Sequence, residues 1–185
     1  MCDDNVKEMR MKFIKDLLEK RTIYLKGEID GTMAAETGAA IIWLNARDET
    51  KEIIIYIDSG GGNVSAGLDI YDVVKHSKAS TRGIVYRRAN SMASIILQAC
   101  TKRQAMKHSE IAIHNVTIKP YKTHDFKKDC LTKTLAEISK VHEHNNNILA
   151  ERTGRTIEEI EKKCIEDISM TAEEAKNFGL VDEII

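Results

Sequence analysis

Proline is almost absent from this sequence of 185 residues, in which Pro120 is the only one. No Gly/Ser-rich stretch that could serve as a linker is present either. We therefore find no domain boundary and expect one domain over residues 1–185. Within it, residues 1–20 are interpreted as an N-terminal arm. Residues 120–153 are interpreted as a strand and a long helix that form a handle for assembly.

Cysteine is scarce, and its four occurrences, Cys2, Cys100, Cys130 and Cys164, form no Cys-x-x-Cys pair. This spacing is typical neither of a disulfide framework nor of a zinc site, and it fits a reducing cytosol. Long apolar runs are also missing, so that neither a signal peptide nor a membrane span is expected. The predicted location is the cytoplasm.

The sequence also lacks an excess of either charge, because 28 Lys and Arg residues balance 29 Asp and Glu residues and the formal net charge is −1. Such a balance gives no electrostatic basis for binding nucleic acid or a membrane surface. Charged stretches at the N-terminus and over residues 158–167 are interpreted as solvated helix faces.

What the sequence does contain is an alternation of strand and helix patterns. Five short runs rich in β-branched residues predict strands: RTIYLKGEI, EIIIYID, TRGIVY, RQAMKH and EIAIHNVTI. Apolar residues at helical spacing predict helices between most of them, at TMAAETGAAIIWLNARD, SAGLDIYDVVKHS and MASIILQAC. This alternation predicts an α/β fold with a mainly parallel sheet.

The last third of the chain has a helical pattern. One long helix is predicted over residues 124–154, with Gly154 as its stop. Capping-box patterns at Thr156 and Glu159, and again at Thr171 and Glu174, predict the starts of two further helices. A short strand is expected at the end of the chain.

Three polar residues are predicted at the ends of strands or helices. Ser91 lies between a strand and an apolar helix, at the carboxyl edge of the sheet, where active sites of parallel folds collect. His114 follows the apolar part of the predicted strand EIAIHNVTI and is expected to end it. Imidazole suits proton transfer at neutral pH. Asp167 precedes the helix that begins near Thr171. Each has a simpler explanation when taken alone: Asn90 or Ser91 can cap a helix, and a single histidine or acid is commonly structural.

Three consecutive glycines, Gly60 to Gly62, follow the second predicted strand. Without Cβ atoms, their backbone can approach a ligand closely, and their N–H groups can face an oxyanion or lie along a peptide. A phosphate-binding loop is the competing interpretation, but neither GK[ST] nor GxGxxG spacing is present. A plain turn would need only one glycine, so the loop indicates a binding site.

Together these motifs resemble those of the ClpP family, the proteolytic subunits of the Clp protease. The segment IYIDSGGGNVSAGLDIYDVV is similar to the family's strand, Ser-Pro-Gly-Gly turn and helix start. ANSMAS resembles its nucleophile stretch, AIH its strand-end histidine, and DISMTAEEAKNFGLVDEII its closing acid motif. The order and spacing of these four motifs extend over nearly the whole chain, and the Ser, His, Asp order differs from that of α/β-hydrolases.

The resemblance implies a ClpP/crotonase-like spiral of ββα units with a long protruding helix. It also implies a serine endopeptidase in which Ser91 is the nucleophile, His114 the general base and Asp167 the acid that orients the imidazole. No cofactor and no metal would be required.

The resemblance further assigns an oxyanion hole to the backbone N–H groups of Gly62 and Met92, and substrate binding to Gly60 and Gly61. As partners it implies a homo-oligomer of two stacked heptamers, unfolded polypeptide substrates and an AAA+ unfoldase that feeds the chamber. Neither nucleic acid nor a membrane is an expected partner.

Three departures from the family pattern leave alternatives open. Gly60 replaces the usual proline, Arg87 and Arg88 precede the nucleophile stretch, and the segment after His114 lacks the family's glycines. A phage head-maturation protease without an unfoldase and a catalytically silent scaffold subunit therefore remain alternatives. An acyl-CoA hydratase of the same superfamily and a Ser–Lys dyad are disfavoured, because a serine, a histidine and an aspartate are all at the expected positions.

Overall fold

The computed structural model describes residues 2–115 and 128–185. Pro120, the predicted start of the long helix at residue 124 and most of the glycine-free segment after His114 lie outside the described residues. No helix in the described ranges combines the length and the apolar character needed to span a bilayer.

Seven strands in the described part of the chain form a mostly parallel sheet. They are β1 (Thr22–Lys26), β2 (Ile53–Ser59), β3 (Thr81–Asn90), β4 (Lys102–Ala105), β5 (Glu110–Ala112), β6 (Met170–Thr171) and β7 (Glu183–Ile184). Their order is β1-β2-β3-β4-β7, and β5 pairs with both β3 and β6. Only the β5–β6 pair is antiparallel. The predicted α/β class with a mainly parallel sheet is confirmed.

Helices occupy most of the remaining described residues. They are α1 (Cys2–Glu19), α2 (Gly31–Arg47), α3 (Val64–Lys75), α4 (Met92–Ala99), α5 (Lys128–Thr153), α6 (Ile157–Glu166) and α7 (Ala172–Phe178). Both predicted capping boxes, at the starts of α6 and α7, are formed. Gly154 follows the last residue of α5 with φ +72°, as its predicted role as a stop requires.

Strand β3 determines where the site lies, because it is shared by two parts of the sheet. Residues 82–85 pair with β4, and residues 88–90 pair with β5. Ser91 follows directly and leads into α4, whose eight residues are all buried. The prediction of a buried helix after Ser91 is therefore confirmed.

Two strands end earlier than their sequence patterns predict. RQAMKH leaves the sheet after Ala105, where the N–H of Ser109 donates to the carbonyl oxygen of Met106 (2.9 Å) and closes a turn. EIAIHNVTI leaves it after Ala112, because its partner β3 has by then turned into α4. His114 thus lies two residues beyond the strand that it was predicted to close.

Arg103 holds the end of the chain against the core. Its side chain is only 6 % exposed and pairs with the carboxylate of Asp182. It also donates to Gln98 Oε1 (2.7 Å) and to the carbonyl oxygens of Gly179 (2.9 Å) and Arg152 (3.1 Å). We expect Arg103→Met to lower the free energy of unfolding by about 2–3 kcal/mol, because it leaves the three acceptors without a donor, while the partly exposed carboxylate of Asp182 adds little. Urea unfolding followed by circular dichroism measures this loss.

Arg82→Met is the matched control, since Arg82 pairs with Glu52 (2.8 Å) at a surface where both side chains are about one-third exposed. Its expected cost is about 1 kcal/mol or less. Burial alone would raise the pKa of Asp182. The hydrogen bonds and the charge of Arg103 lower this pKa by more, so the folded-state pKa lies below the usual value of 3.8. The contribution of the pair is therefore complete above that pH and is lost as the pH falls through the lower folded-state value. Equal losses in the two variants would contradict the prediction.

Candidate active site

The turn between β3 and α4 holds Ser91 in an unusual backbone conformation, with φ 56° and ψ −127°. For a residue other than glycine, such a conformation costs about 1–3 kcal/mol and is most often found at functional sites. The Ser91 side chain forms no capping hydrogen bond. Instead, the hydroxyl of Ser94 donates to the carbonyl oxygen of Ser91 (2.6 Å). The structure thus excludes Ser91 as a side-chain cap and leaves its half-buried hydroxyl at a strained strand-to-helix turn.

His114 is held near this turn by the backbone of β5. The N–H of Ser91 donates to the carbonyl oxygen of Ala112 (2.9 Å), two residues before His114. Ser91 and His114 line the same pocket. Nδ1 of His114 lies 2.6 Å from the carbonyl oxygen of Asn115, and because a carbonyl can only accept, Nδ1 carries the hydrogen. In the neutral ring, Nε2 is then unprotonated and able to accept a proton.

The glycine loop contacts the nucleophile candidate directly. A Cβ atom added at Gly61 would lie 2.6 Å from Ser91 Cβ, and one added at Gly62 would lie 2.2 Å from the carbonyl oxygen of Ile29. The N–H of Gly61 donates to Ser59 Oγ (3.1 Å), and its carbonyl oxygen accepts from the N–H of Ile29 (3.0 Å). Since both polar groups of Gly61 are occupied, its main effect is to leave space beside Ser91.

Gly62 presents its backbone to the pocket. Ile29 forms an isolated parallel bridge with Gly62, in which the carbonyl oxygen of Gly61 and the N–H of Asn63 bond to Ile29. In a parallel ladder, the residue between two such bonds directs its own N–H and C=O to the opposite side. The N–H of Gly62 therefore faces away from Ile29, and Gly62 lines the pocket with Ser91.

Met92 supplies a second backbone donor at the same pocket. It is the first residue of α4, so its N–H lies in the first turn, where no intrahelical acceptor exists. In the ranges that the structure describes, the N–H groups of Met92 and Gly62 donate to no protein acceptor. The first turn also carries the partial positive charge of the helix dipole. The two N–H groups are suited to an oxyanion.

Asp167 is the one predicted triad residue that lies apart. It follows the last residue of α6 with φ 48° and ψ 40°, and its side chain is exposed. It is not among the residues that line the pocket of Ser91, and it makes no hydrogen bond with His114. The carbonyl of Asn115 occupies the Nδ1 side of the imidazole, where an orienting carboxylate would bind. Of the predicted residues, Ser91, His114, Gly62 and Met92 thus line one pocket and Gly61 lies beside Ser91, whereas Asp167 lies outside the pocket.

Gly60 and Arg88 have a common explanation. A Cβ added at Gly60 would lie 3.7 Å from Cζ of Arg88, so this loop residue packs on the guanidinium. Nε of Arg88 lies 3.9 Å from Oδ1 of Asp58, which is 8 % exposed. Arg87 is exposed. Arg88 therefore neutralises a buried acid beneath the loop and does not line the pocket of Ser91.

Helix α5 contributes pocket residues that the sequence analysis missed. His142, Asn145, Asn146 and Leu149 line the same pocket as Ser91. Their spacing of three, one and three residues places them on one face of a helix, and this was the signal that could have identified them.

A model of the family described as Clp protease matches residues 5–185, almost the entire chain. The match agrees with the mostly parallel α/β fold and with the four sequence motifs. This chain belongs to the Clp protease (ClpP) family.

Proposed function

We propose that this chain is a serine endopeptidase of the Clp type that hydrolyses peptide bonds with Ser91 as nucleophile. The observation that carries the proposal is the conformation of Ser91, which is strained and forms no capping bond. A residue that serves only to begin a helix has no need of this strain. The same pocket holds His114 and the two free backbone donors.

The proposed mechanism assigns a role to each of these groups. Nε2 of His114 accepts the Ser91 proton as the hydroxyl attacks the carbonyl carbon of the substrate. The N–H groups of Gly62 and Met92 stabilise the oxyanion, and one such donor typically contributes about 10²–10³-fold in kcat. His114 then returns the proton to the leaving amine, and water hydrolyses the acyl-enzyme.

Asp167 would complete the triad by replacing the carbonyl of Asn115 as the acceptor for Nδ1–H of His114. A carboxylate at this position stabilises the imidazolium that forms during attack more strongly than a neutral carbonyl does, because it carries a negative charge. Gly60 and Gly61 would provide the space and the backbone surface along which an extended substrate lies. In this proposal, the separation of Asp167 from His114 marks the resting state of the site.

We propose unfolded polypeptides as substrates and a homo-oligomer of two stacked heptamers, fed by an AAA+ unfoldase, as the working assembly. Large exposed apolar side chains support an interface role for the outer helices. On α1 and α2 these are Met9 (72 %), Met11 (66 %), Phe13 (55 %), Ile42 (66 %) and Trp43 (41 %). Where such exposed apolar side chains are contiguous, they commonly mark contacts with other chains.

The experiment that tests the activity is labelling of the assembled protein with a fluorophosphonate, followed by intact mass and peptide mapping. We expect one adduct per chain, on the peptide that contains Ser91. His114→Gln should lose the adduct, because no base then accepts the serine proton. Ser65→Ala, which removes an exposed serine near the start of α3, should retain it.

A catalytically silent scaffold is the second candidate, and the separation of Asp167 from His114 favours it. That candidate predicts no adduct on folded and assembled protein. An adduct on a residue other than Ser91, or an equal adduct in His114→Gln, would also refute the proposed mechanism.

A further inference from the structure

The pocket beside Ser91 is lined on one side by polar side chains of α5. His142, Asn145 and Asn146 face the same cavity as Ser91, whereas Val64 and Leu149 form apolar walls. The cavity measures about 70 Å³. Since a single water needs roughly 10–15 Å³ on this measure, the space accommodates a side chain of only a few heavy atoms.

Asn145 has an unused hydrogen-bonding group at this pocket. Its Nδ2 donates to Sδ of Met92 (3.7 Å), a weak acceptor. Its Oδ1 is buried and has no hydrogen-bond partner among the described residues. A buried acceptor without a partner is unfavourable because it has lost its hydrogen bonds to water, and a ligand group that donates to it restores one.

The neighbouring polar residues do not share this property. Nδ2 of Asn146 lies 3.0 Å from Nε2 of His142, and Asn146 is only 3 % exposed. The amide nitrogen of Asn146 is therefore paired with the imidazole. Asn147, the next residue on α5, is exposed to solvent and does not line the pocket. Of these three consecutive asparagines, only Asn145 has a buried side-chain oxygen that lacks a hydrogen-bond partner among the described residues.

The charge of the lining limits which side chain can enter. No Asp, Glu, Lys or Arg is among the described residues that line the pocket. A cation or an anion would lose its hydration there without gaining a countercharge. The lining thus favours an uncharged side chain with an apolar stem and a donor at its tip.

We propose that this pocket receives the substrate side chain on the acyl side of the scissile bond, and that Asn145 selects an uncharged hydrogen-bond donor there, such as glutamine. This inference rests on the proposed function. The acyl carbon must lie between the Ser91 hydroxyl and the N–H groups of Gly62 and Met92, so its side chain is the part of the substrate nearest to the cavity. Asn145 is then a specificity residue, since it contacts the substrate without taking part in proton transfer.

The test compares two fluorogenic peptides that differ only in this residue, glutamine in one and methionine in the other, which are similar in length. For the wild-type protein, we expect kcat/KM to be at least about tenfold higher for the glutamine peptide. Asn145→Leu, which is close to isosteric but apolar, should reverse the preference in favour of methionine. Asn147→Leu makes the same chemical change on the exposed neighbour and should leave the wild-type ratio unchanged.

A second variant keeps the test decisive if Asn145→Leu folds poorly. Asn145→Asp retains the shape and adds a charge, and we expect it to cleave a peptide with lysine at this position faster than the wild-type protein does. Cleavage of both peptides at a ratio that Asn145→Leu and Asn145→Asp leave unchanged would overturn the inference but not the proposed function. Failure to cleave either peptide, together with no fluorophosphonate adduct on Ser91, would overturn both.

Discussion

Ser91→Ala is expected to lower kcat for peptide hydrolysis by about 10⁶-fold, as loss of the nucleophile does in serine proteases. Ser91→Gly should be equally inactive. Both variants retain the fold, because the Ser91 side chain makes no hydrogen bond to any described residue and the buried α4 is stabilised by its packing. The residual rate would come from substrate binding and the oxyanion donors alone.

The two variants should differ in stability, and this difference separates a strained nucleophile from a helix cap. If Ser91 is strained at φ 56°, glycine relieves the strain, and Ser91→Gly should be about 1 kcal/mol more stable than the wild type. Ser91→Ala should then match the wild type. A capping serine predicts another order, in which the wild type is most stable and alanine costs about 0.5–2 kcal/mol.

Chemical denaturation of the three proteins, combined with turnover of one fluorogenic peptide, measures both effects. Retention of more than a few per cent of the wild-type rate in Ser91→Ala would remove Ser91 as the nucleophile. A wild-type protein more stable than Ser91→Gly would show that the backbone conformation stores no strain.

Asp167→Asn is expected to lower kcat by about 10⁴-fold, although Asp167 does not contact His114 in the structure. The substitution is isosteric, and asparagine tolerates the left-handed conformation at φ 48° better than most residues. Any loss of activity therefore reports the missing negative charge and the altered imidazole tautomer. Glu166→Gln is the matched control, since it removes the neighbouring carboxylate, which pairs with Lys163 (2.6 Å).

The pH dependence of kcat/KM for the three proteins provides the second measurement. Wild type and Glu166→Gln should share the same profile. A loss of less than tenfold in Asp167→Asn would mean that the carbonyl of Asn115 is the true partner of Nδ1. The enzyme would then operate with a Ser91–His114 dyad supported by the backbone.

Local chemistry made the helix boundaries predictable from the sequence. The capping boxes at Thr156 and Thr171 depend on residues three apart, and both were correct. Gly154 ends α5 for an equally local reason, since it adopts a positive φ. The positions of the predicted strands were correct, but the predicted ends of β4 and β5 were not, because a strand ends where its partner strand ends. The sharing of β3 between β4 and β5 is not visible in the β-branched pattern.

The candidate site was predictable in part for the same reasons. Ser91, Gly62 and Met92 follow from motifs that lie on one loop and one turn. The pocket residues of α5 lie more than 50 positions after Ser91, and only the packing of α5 against α4 brings Asn145 there. The carbonyl of Asn115 was not predictable either, because every residue has a carbonyl and its role depends on the path of the backbone after β5.

Asp167 lies midway between two buried anchor residues, Cys164 (2 % exposed) and Met170 (3 % exposed). Ile165 and Ile168, on either side of it, are 71 % and 61 % exposed, so the span between the anchors makes little contact with the core. Three residues of chain reach at most about 10 Å from each anchor. Asp167 thus lies in a short exposed segment between two buried residues, whereas Ser91 and His114 follow the adjacent strands β3 and β5. If Asp167 replaces the carbonyl of Asn115, as proposed above, we expect this exposed span to move while the core stays in place, on the nanosecond-to-microsecond timescale of loop motion.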